Sequence, residues 1–169
     1  MTIEEAIKTA IDYEIRIHDI YRDAAEKVED PAGKRILKML ADDEQHHIEY
    51  LKDRLKLWEK TGRLSARKLE SSIPSMENVQ KEAEKVRAHM SRKDRTSERD
   101  ILSKALKAEV ETSNFYQQMV NEMPDEAQRM FARFLEIEEN HIAAVQFELD
   151  YLSQSGYWLD FKEFDMEEL

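Results

Sequence analysis

The sequence contains no cysteine, only three glycines and three prolines, and no net positive charge. The absence of cysteine excludes disulfides, thiolate nucleophiles, cysteine-bound zinc and iron–sulfur clusters, so any metal must be held by oxygen and nitrogen atoms. The scarcity of glycine and proline leaves few of the turns that an all-β fold requires. A chain of 169 residues with these properties is expected to form one all-α domain.

The chain is acidic, with a formal net charge of −11 at pH 7, and such a charge repels nucleic-acid phosphates and anionic lipids. No apolar run approaches the length of about 18 residues that a membrane span needs. The segment Met1–Glu5 has neither the basic nor the apolar part of a signal peptide. We therefore expect a cytoplasmic protein that binds neither nucleic acid nor membranes and that attracts cations.

Apolar residues recur at steps of three and four along four stretches of the chain, which is the period of helices that face a shared core. These stretches cover residues of about 3–29, 34–60, 99–123 and 125–155. Helix breakers separate them, namely Pro31 and Gly33 after the first, Pro124 before the fourth and Gly156 after it. The pattern predicts four long helices, and the short connections predict two antiparallel hairpins.

The connection between the two hairpins, residues 61–98, is long, highly charged and interrupted by Gly62 and Pro74. Within it, Met76–Met90 is expected to be helical. A long connection of this kind distinguishes a crossover bundle from a simple up-and-down bundle. Residues 156–169 form a short C-terminal segment, whose aromatic side chains favour docking onto the bundle or onto a second subunit.

Two motifs are each written twice in the sequence, and both place their members on one face of a helix. The first is a glutamate three residues before a histidine, and it occurs as Glu44 with His47 and as Glu138 with His141. The second is a glutamate seven residues before a tyrosine, and it occurs as Glu14 with Tyr21 and as Glu109 with Tyr116. The two hairpins therefore form an internal repeat, related by an approximate twofold axis.

The four glutamates and two histidines of these motifs fall in phase with the apolar stripes of their helices. Burying unpaired carboxylates costs several kcal/mol each, and facing carboxylates repel one another. Two cations would remove both penalties, so the pattern predicts a two-metal site in the bundle. A metal-free alternative is a charged bundle with inward hydrogen-bond networks. The predicted metal ligands are Glu14, Glu44, His47, Glu109, Glu138 and His141.

Three other histidines and one aspartate need separate interpretation. Asp43 and His46 have the same spacing as the Glu-x-x-His pairs, but their phase on the helix predicts a more polar side. His18 lies four residues after Glu14, which favours a core or supporting histidine over a metal ligand. His89 falls in the long connection and is expected to be exposed.

Four segments around the predicted ligands resemble the rubrerythrin family of ferritin-like di-iron carboxylate proteins. They are Glu14-Ile-Arg-Ile-His-Asp-Ile-Tyr21, Asp42-Asp-Glu-Gln-His-His-Ile-Glu49, Ala108-Glu-Val-Glu-Thr-Ser-Asn-Phe-Tyr116 and Glu136-Ile-Glu-Glu-Asn-His-Ile142. The resemblance implies a ferritin-like four-helix bundle. It also implies roles: Glu14 and Glu109 as terminal ligands, Glu44 and Glu138 as bridges between the metals, and His47 and His141 as one cap for each metal.

Two departures from the family limit what the resemblance implies about the reaction. Full-length rubrerythrins carry a second iron site held by cysteines, so this chain needs electrons from an external donor such as a rubredoxin. The family's peroxidases carry a further glutamate one turn after the third-helix ligand, where this sequence has Thr112. Its absence makes the two metal environments more alike, as in a ferroxidase centre.

The sequence therefore predicts a protein that binds two iron ions, with manganese or a mixed pair also compatible with the ligands. The expected function is an oxidoreductase that reduces peroxide or O2, and the family suggests a homodimer. One alternative is a ferroxidase or iron-storage protein, and another is a metal-free helical interaction module. Tyr21 and Tyr116 either hydrogen-bond to the ligand carboxylates or simply pack in the core.

Overall fold

The structure, a computed structural model, describes residues 1–64, 68–83 and 95–161. These residues form helices and no strand, which confirms the predicted all-α fold. The helices are α1 (Ile3–Lys27), α2 (Pro31–Thr61), α3 (Met76–Ala83), α4 (Thr96–Glu122) and α5 (Asp125–Ser155). A search of the described parts of the chain finds no helix that is long and apolar enough to span a membrane.

The long helices pack as two hairpins, α1 with α2 and α4 with α5, and the hairpins meet through α1 and α4. The chain between α2 and α4 contains α3, which contacts α5. This arrangement is consistent with the predicted ferritin-like bundle. The helix expected at Met76–Met90 is described up to Ala83, and the remainder of that stretch, with His89, lies outside the described residues.

The turn between α1 and α2 is set by capping residues. The Asp30 side chain accepts hydrogen bonds from the backbone N–H groups of Ala32 and Gly33, at 2.9 and 3.1 Å. These groups have no partner inside the helix, so the cap fixes where α2 begins. Consequently α2 starts at Pro31, a few residues before the expected start near 34. Gly62 and Gly156 end α2 and α5 in the left-handed conformation that glycine adopts readily.

The core is divided along the bundle into two hydrophobic clusters with buried polar residues between them. The first cluster includes Ile7 of α1 and Phe131 of α5, and the second includes Ile17 of α1 and Val145 of α5. On each long helix, buried polar residues lie between the two clusters. This polar layer consists of Glu14, Asp43, Glu44, His47, Glu109, Thr112, Glu138 and His141. The polar layer therefore lies at one level along the bundle axis, between the two apolar clusters.

The C-terminal segment docks onto the bundle over its described part. Trp158 and Phe161 are buried within the second hydrophobic cluster. The indole Nε1 of Trp158 donates to Glu98 at 2.7 Å, and Arg35 forms an ion pair with Asp160 at 2.8 Å. Of the two expected docking sites, the described residues occupy the one on the bundle itself. Residues 162–169 lie outside the described part of the chain.

Gly33 of α2 lies against Trp158 of this segment. A Cβ atom at this position would lie 2.8 Å from Trp158 Cε2 and 2.8 Å from Val28 Cγ1. We expect Gly33→Ala to destabilise the protein, because overpacking costs about 1–3 kcal/mol and exceeds the gain in helix propensity of about 1 kcal/mol. Urea unfolding would measure the loss, and tryptophan emission would shift as Trp158 is displaced. An unchanged emission spectrum would contradict this packing.

Glu148 on α5 is a buried carboxyl that the docked segment covers. Its Oε2 accepts from the backbone N–H of Leu159 at 3.1 Å, whereas Oε1 has no partner among the described residues. Burial raises the pKa of Glu148 well above its usual 4.5, and the charges of Asp160 and Asp30 add to the effect, against the hydrogen bond from Leu159. The folded protein therefore favours the protonated carboxyl.

A raised carboxyl pKa makes the folded state bind more protons than the unfolded state, so stability falls as pH rises above the unfolded-state pKa of about 4.5. We expect Glu148→Gln to raise Tm by a few degrees near pH 8 and to change it little near pH 4, where the carboxyl is already protonated. Thermal unfolding monitored by circular dichroism at both pH values tests this. A Tm gain of equal size at both pH values would show that ionisation of Glu148 is not its cause.

Candidate metal centre

The six predicted ligands come from all four long helices, and the structure brings them together in the polar layer. Each of them is fully buried, with an exposed fraction of 0%. Glu14 comes from α1, Glu44 and His47 from α2, Glu109 from α4, and Glu138 and His141 from α5. The i to i+3 spacing on α2 and on α5 directs each glutamate and its histidine toward the same interior space.

The ligand atoms of these residues form two overlapping groups, in each of which all atoms lie within 4.8 Å of one another. The first group is Glu14, Glu44, His47 and Glu138. The second group is Glu44, Glu109, Glu138 and His141. Glu44 and Glu138 belong to both groups, whereas every other member belongs to one. Each group could hold one metal ion, and the two shared carboxylates could then serve as ligands to both ions.

Several carboxylate oxygens in the polar layer have no hydrogen-bond partner among the described residues. They are Oε2 of Glu14, Oε2 of Glu44, Oε2 of Glu109, and both oxygens of Glu138. Unpaired buried carboxylate oxygens are costly unless they bind a cation. The donor set of each group, three carboxylates and one imidazole, suits iron or manganese. The residues present therefore fit a pair of such ions.

Without a bound cation, the negative charges of the buried glutamates repel one another, and protonation of some of them reduces this repulsion. Burial and the neighbouring charge of Glu14 raise the pKa of Glu44 to about 8, and burial with the nearby glutamates raises the pKa of Glu138 well above its usual range. Burial alone would raise the pKa of Glu14, but its contacts with Glu44 and His47 bring it down to about 2. The carboxyls of the two shared residues therefore favour the protonated form in the metal-free site, and a bound cation would compete with those protons.

The two tyrosines cross between the hairpins. The hydroxyl of Tyr21 on α1 donates to Oε1 of Glu109 on α4 at 2.6 Å, and the hydroxyl of Tyr116 on α4 donates to Oε1 of Glu14 on α1 at 2.6 Å. Burial first, and then these carboxylates, raise the pKa of both tyrosines well above 10. Both hydroxyls therefore remain donors. Of the two predicted roles of these tyrosines, the structure shows the hydrogen bonds to ligand carboxylates. Tyr116 also stacks on Phe134.

The prediction that Asp43 lies on a polar side of α2 is wrong. Asp43 is only 1% exposed, and its Oδ2 lies 2.7 Å from Nε2 of His141. The chain after α2 covers this side of the helix through Ser71 and Ser72, which both donate to Asp43. His46 is exposed, as its phase predicts. The signal that could have identified Asp43 is its i to i+4 spacing to His47, which places both on one helix face.

His18 and Thr112 are two further polar residues that join neither group. His18 is partly buried, and its Nδ1 lies 3.1 Å from Oδ1 of Asp19. Thr112 is fully buried, and its hydroxyl donates to the backbone carbonyl of Ala108 at 2.9 Å. The position one turn after Glu109 therefore contributes no carboxylate to the polar layer.

Comparison with known proteins gives one family. The model of the rubrerythrin family matches residues 1–55, which include α1 and the part of α2 that carries Glu44 and His47. This match supports a rubrerythrin-like, ferritin-like family. No curated protein and no solved structure matches the chain. Residues of the second hairpin fall outside the matched range, so their place in the site rests on the geometry above.

Proposed function

Because the first hairpin matches the rubrerythrin family and the second hairpin repeats its ligand pattern, we propose that this protein is a di-iron carboxylate oxidoreductase that reduces peroxide or O2. The observation that carries the proposal is the pair of four-residue groups that share Glu44 and Glu138. When bound, two iron ions supply two electrons to the oxidant. Manganese or a mixed pair also fits the donors.

In the proposed site, the chain's own residues would bind the ions, hold the ligand side chains in place and exclude water. Glu14 and His47 would hold one ion, and Glu109 and His141 would hold the other. The shared glutamates, Glu44 and Glu138, would bind both ions. Each tyrosine hydroxyl would hold a terminal carboxylate in place from the opposite hairpin, as the two 2.6 Å hydrogen bonds indicate. The complete burial of these side chains keeps bulk water from the reacting site.

Electrons would come from an external donor such as a rubredoxin, because the chain has no cysteine to hold a second iron site. We further propose that the protein works in the cytoplasm as a homodimer. The acidic surface favours cations and a donor with a basic docking face over nucleic acid or anionic membranes.

A second candidate function is iron handling, that is, oxidation of Fe²⁺ followed by storage or transfer. Thr112 favours it, because this buried hydroxyl is committed to Ala108 and supplies no further carboxylate. Each metal group then has one terminal glutamate, one histidine and the same two shared glutamates. Such symmetry resembles a ferroxidase centre more than a peroxidase centre. A metal-free interaction module is less well supported, because it leaves the buried carboxylate oxygens unpaired.

Metal analysis followed by an anaerobic peroxide titration tests the proposal. The purified protein is loaded with Fe²⁺ without oxygen, freed of excess metal, and mixed with hydrogen peroxide in a stopped-flow spectrophotometer. We expect two irons per chain and rapid oxidation of both by one equivalent of peroxide. Slow oxidation by peroxide, together with retention of far more than two irons per chain after aerobic loading, would favour iron storage. Failure to retain iron or manganese would contradict both functions.

A further inference from the structure

We propose that Asp43 is a positioning residue shared by both histidines, holding each imidazole with Nε2 toward Asp43 and Nδ1 toward the glutamates. The inference rests on the proposed metal site and adds a residue that the metal-ligand pattern does not contain. It assigns one carboxylate to the orientation of two ligands on different hairpins. Its consequence is that the two metal positions would be coupled through a residue outside both groups of predicted ligands.

The orientation of both rings follows from the distances. Nε2 of His141 lies 2.7 Å from Oδ2 of Asp43, and Nε2 of His47 lies 3.5 Å from the same oxygen. The opposite ring nitrogens face the glutamates, with Nδ1 of His141 2.8 Å from Oε1 of Glu44 and Nδ1 of His47 3.4 Å from Oε2 of Glu44. The rings lie 5.6 Å apart and are nearly parallel, at 15°. Both imidazoles thus present the same nitrogen to the shared glutamate.

An ionised carboxylate only accepts hydrogen bonds, so a histidine that contacts Asp43 through Nε2 keeps its proton there. That tautomer leaves Nδ1 free to bind a metal. A carboxylate behind a ligating histidine fixes its orientation and makes it a stronger ligand. Asp43 does this for His141 at hydrogen-bond distance, and for His47 once that ring moves slightly closer.

Asp43 is itself held in place by the chain after α2. Ser71 Oγ donates to Oδ2 at 2.7 Å, while the Ser72 backbone N–H and hydroxyl donate to Oδ1 at 2.8 and 3.0 Å. This chain segment is fixed against α5, because Arg133 donates to the carbonyl of Leu69 and Asn140 donates to that of Pro74. The crossover therefore contributes to the metal site indirectly, by fixing the carboxylate that orients the histidines.

The internal repeat shows that Asp43 has no counterpart. Glu44 and Glu138 are equivalent across the two hairpins, so the residue equivalent to Asp43 is Ile137. Ile137 is buried and apolar and cannot accept a hydrogen bond. If each histidine had its own positioning carboxylate, both position 43 and position 137 would have to carry an acidic residue. In this chain a single aspartate contacts both histidines, which is why one substitution should affect both metal positions.

Asp43→Asn tests the proposal, with Asp42→Asn as the matched control because Asp42 is exposed on the same helix and carries the same charge. An amide has one accepting oxygen where Asp43 uses two, so either the Ser72 donors or the histidines lose their acceptor. Titration of the metal-free proteins with Zn²⁺ would measure affinity. We expect both Zn²⁺ ions to bind about 10–100-fold more weakly to Asp43→Asn, and unchanged binding to the control.

A spectroscopic readout separates positioning from a general loss of structure. In the Zn²⁺-loaded wild-type protein, ¹⁵N NMR of the histidines should show two rings protonated at Nε2 and metal-bound at Nδ1. In Asp43→Asn at saturating Zn²⁺, at least one ring should lose this signature, whereas circular dichroism stays unchanged. Metal-bound Nε2 in the wild-type protein, or a third Zn²⁺ ion lost with Asp43, would overturn the proposal, because Asp43 would then be a ligand with His47 and His141.

If Asp43→Asn does not fold, Ser71→Ala with Ser72→Ala keeps the carboxylate and removes only its side-chain anchors. We expect this double variant to weaken Zn²⁺ binding at both positions, with the loss restored in part when the Ser72 hydroxyl is returned. Wild-type binding of two Zn²⁺ ions, with equal affinity in every folded variant, would overturn the role of Asp43 alone. Failure of the wild-type protein to bind metal would instead contradict the proposed function.

Discussion

Replacement of Glu44 by alanine is expected to abolish stoichiometric binding of both metal ions, whereas Glu109→Ala should leave one ion bound. The two variants should differ because Glu44 and Glu109 belong to different numbers of ligand groups. Glu44 lies in both groups, so its loss would leave each group with three of its four protein ligands. Glu109 lies in one group only, and the group that contains Glu14 stays complete without it.

Metal-to-protein ratios after anaerobic loading and desalting measure the difference, with expected values of about two for the wild-type protein, one for Glu109→Ala and none for Glu44→Ala, following the requirement for complete ligand sets. Glu49→Ala is the matched control, because Glu49 is an exposed glutamate of the same helix. Equal metal loss in Glu44→Ala and Glu109→Ala would argue against a bridging position for Glu44. Normal metal content in Glu44→Ala would remove this residue from the site.

The fold was predictable because its determinants are local. Apolar residues at helical spacing mark the four long helices, and the breakers at Pro31, Pro124 and Gly156 lie where those helices start or stop. The assembly of the polar layer was also within reach of sequence reasoning. Six ionisable residues in phase with apolar stripes must either meet in the interior or destabilise it, and the structure places all six in one buried layer.

Helical phase alone did not predict the burial of Asp43 or of Glu148, and the physical reason is the same for both. The phase of a residue on a helix is judged against the partner helices of a bundle, and it takes no account of chain segments that cover the remaining sides. Asp43 is buried because the crossover lies over it with Ser71 and Ser72. Glu148 is buried because the C-terminal segment lies over it and Leu159 donates to it. Both contacts come from chain segments outside the four long helices, which helical periodicity does not describe.

The two halves of the site are less alike than the repeated motifs suggest. His141 lies within 2.8 Å of both Asp43 and Glu44, whereas neither nitrogen of His47 has a hydrogen-bond partner among the described residues. Ligand identity is therefore symmetric, while the surroundings of the ligands are not. We therefore expect the two metal positions to differ in affinity, which Zn²⁺ titration of the wild-type protein would measure.

Replacement of Glu138 by leucine is expected to stabilise the metal-free protein and, at the same time, to remove its stabilisation by metal. Both oxygens of Glu138 are buried without a partner among the described residues, and burial with the surrounding glutamates raises its pKa well above the usual range. Exchanging buried ionic groups for apolar side chains of similar volume is often neutral or stabilising by about 1–4 kcal/mol. Glu138→Leu should therefore have the higher Tm in the presence of a chelator.

When metal is added, we expect the order of stability to reverse, so that the wild-type protein has a higher Tm than Glu138→Leu. A ligand present at 1,000 times its dissociation constant stabilises the protein that binds it by about 4 kcal/mol, and Glu138→Leu lacks a residue of both ligand groups. Thermal unfolding with chelator and with saturating Zn²⁺ measures both terms, and Glu139→Leu is the control because Glu139 is exposed beside it. A metal-free Glu138→Leu protein less stable than wild type would mean that Glu138 has a structural partner. A stabilised variant that loses its response to metal would show that this carboxylate is retained at a cost to stability, because the site requires it for binding the ions.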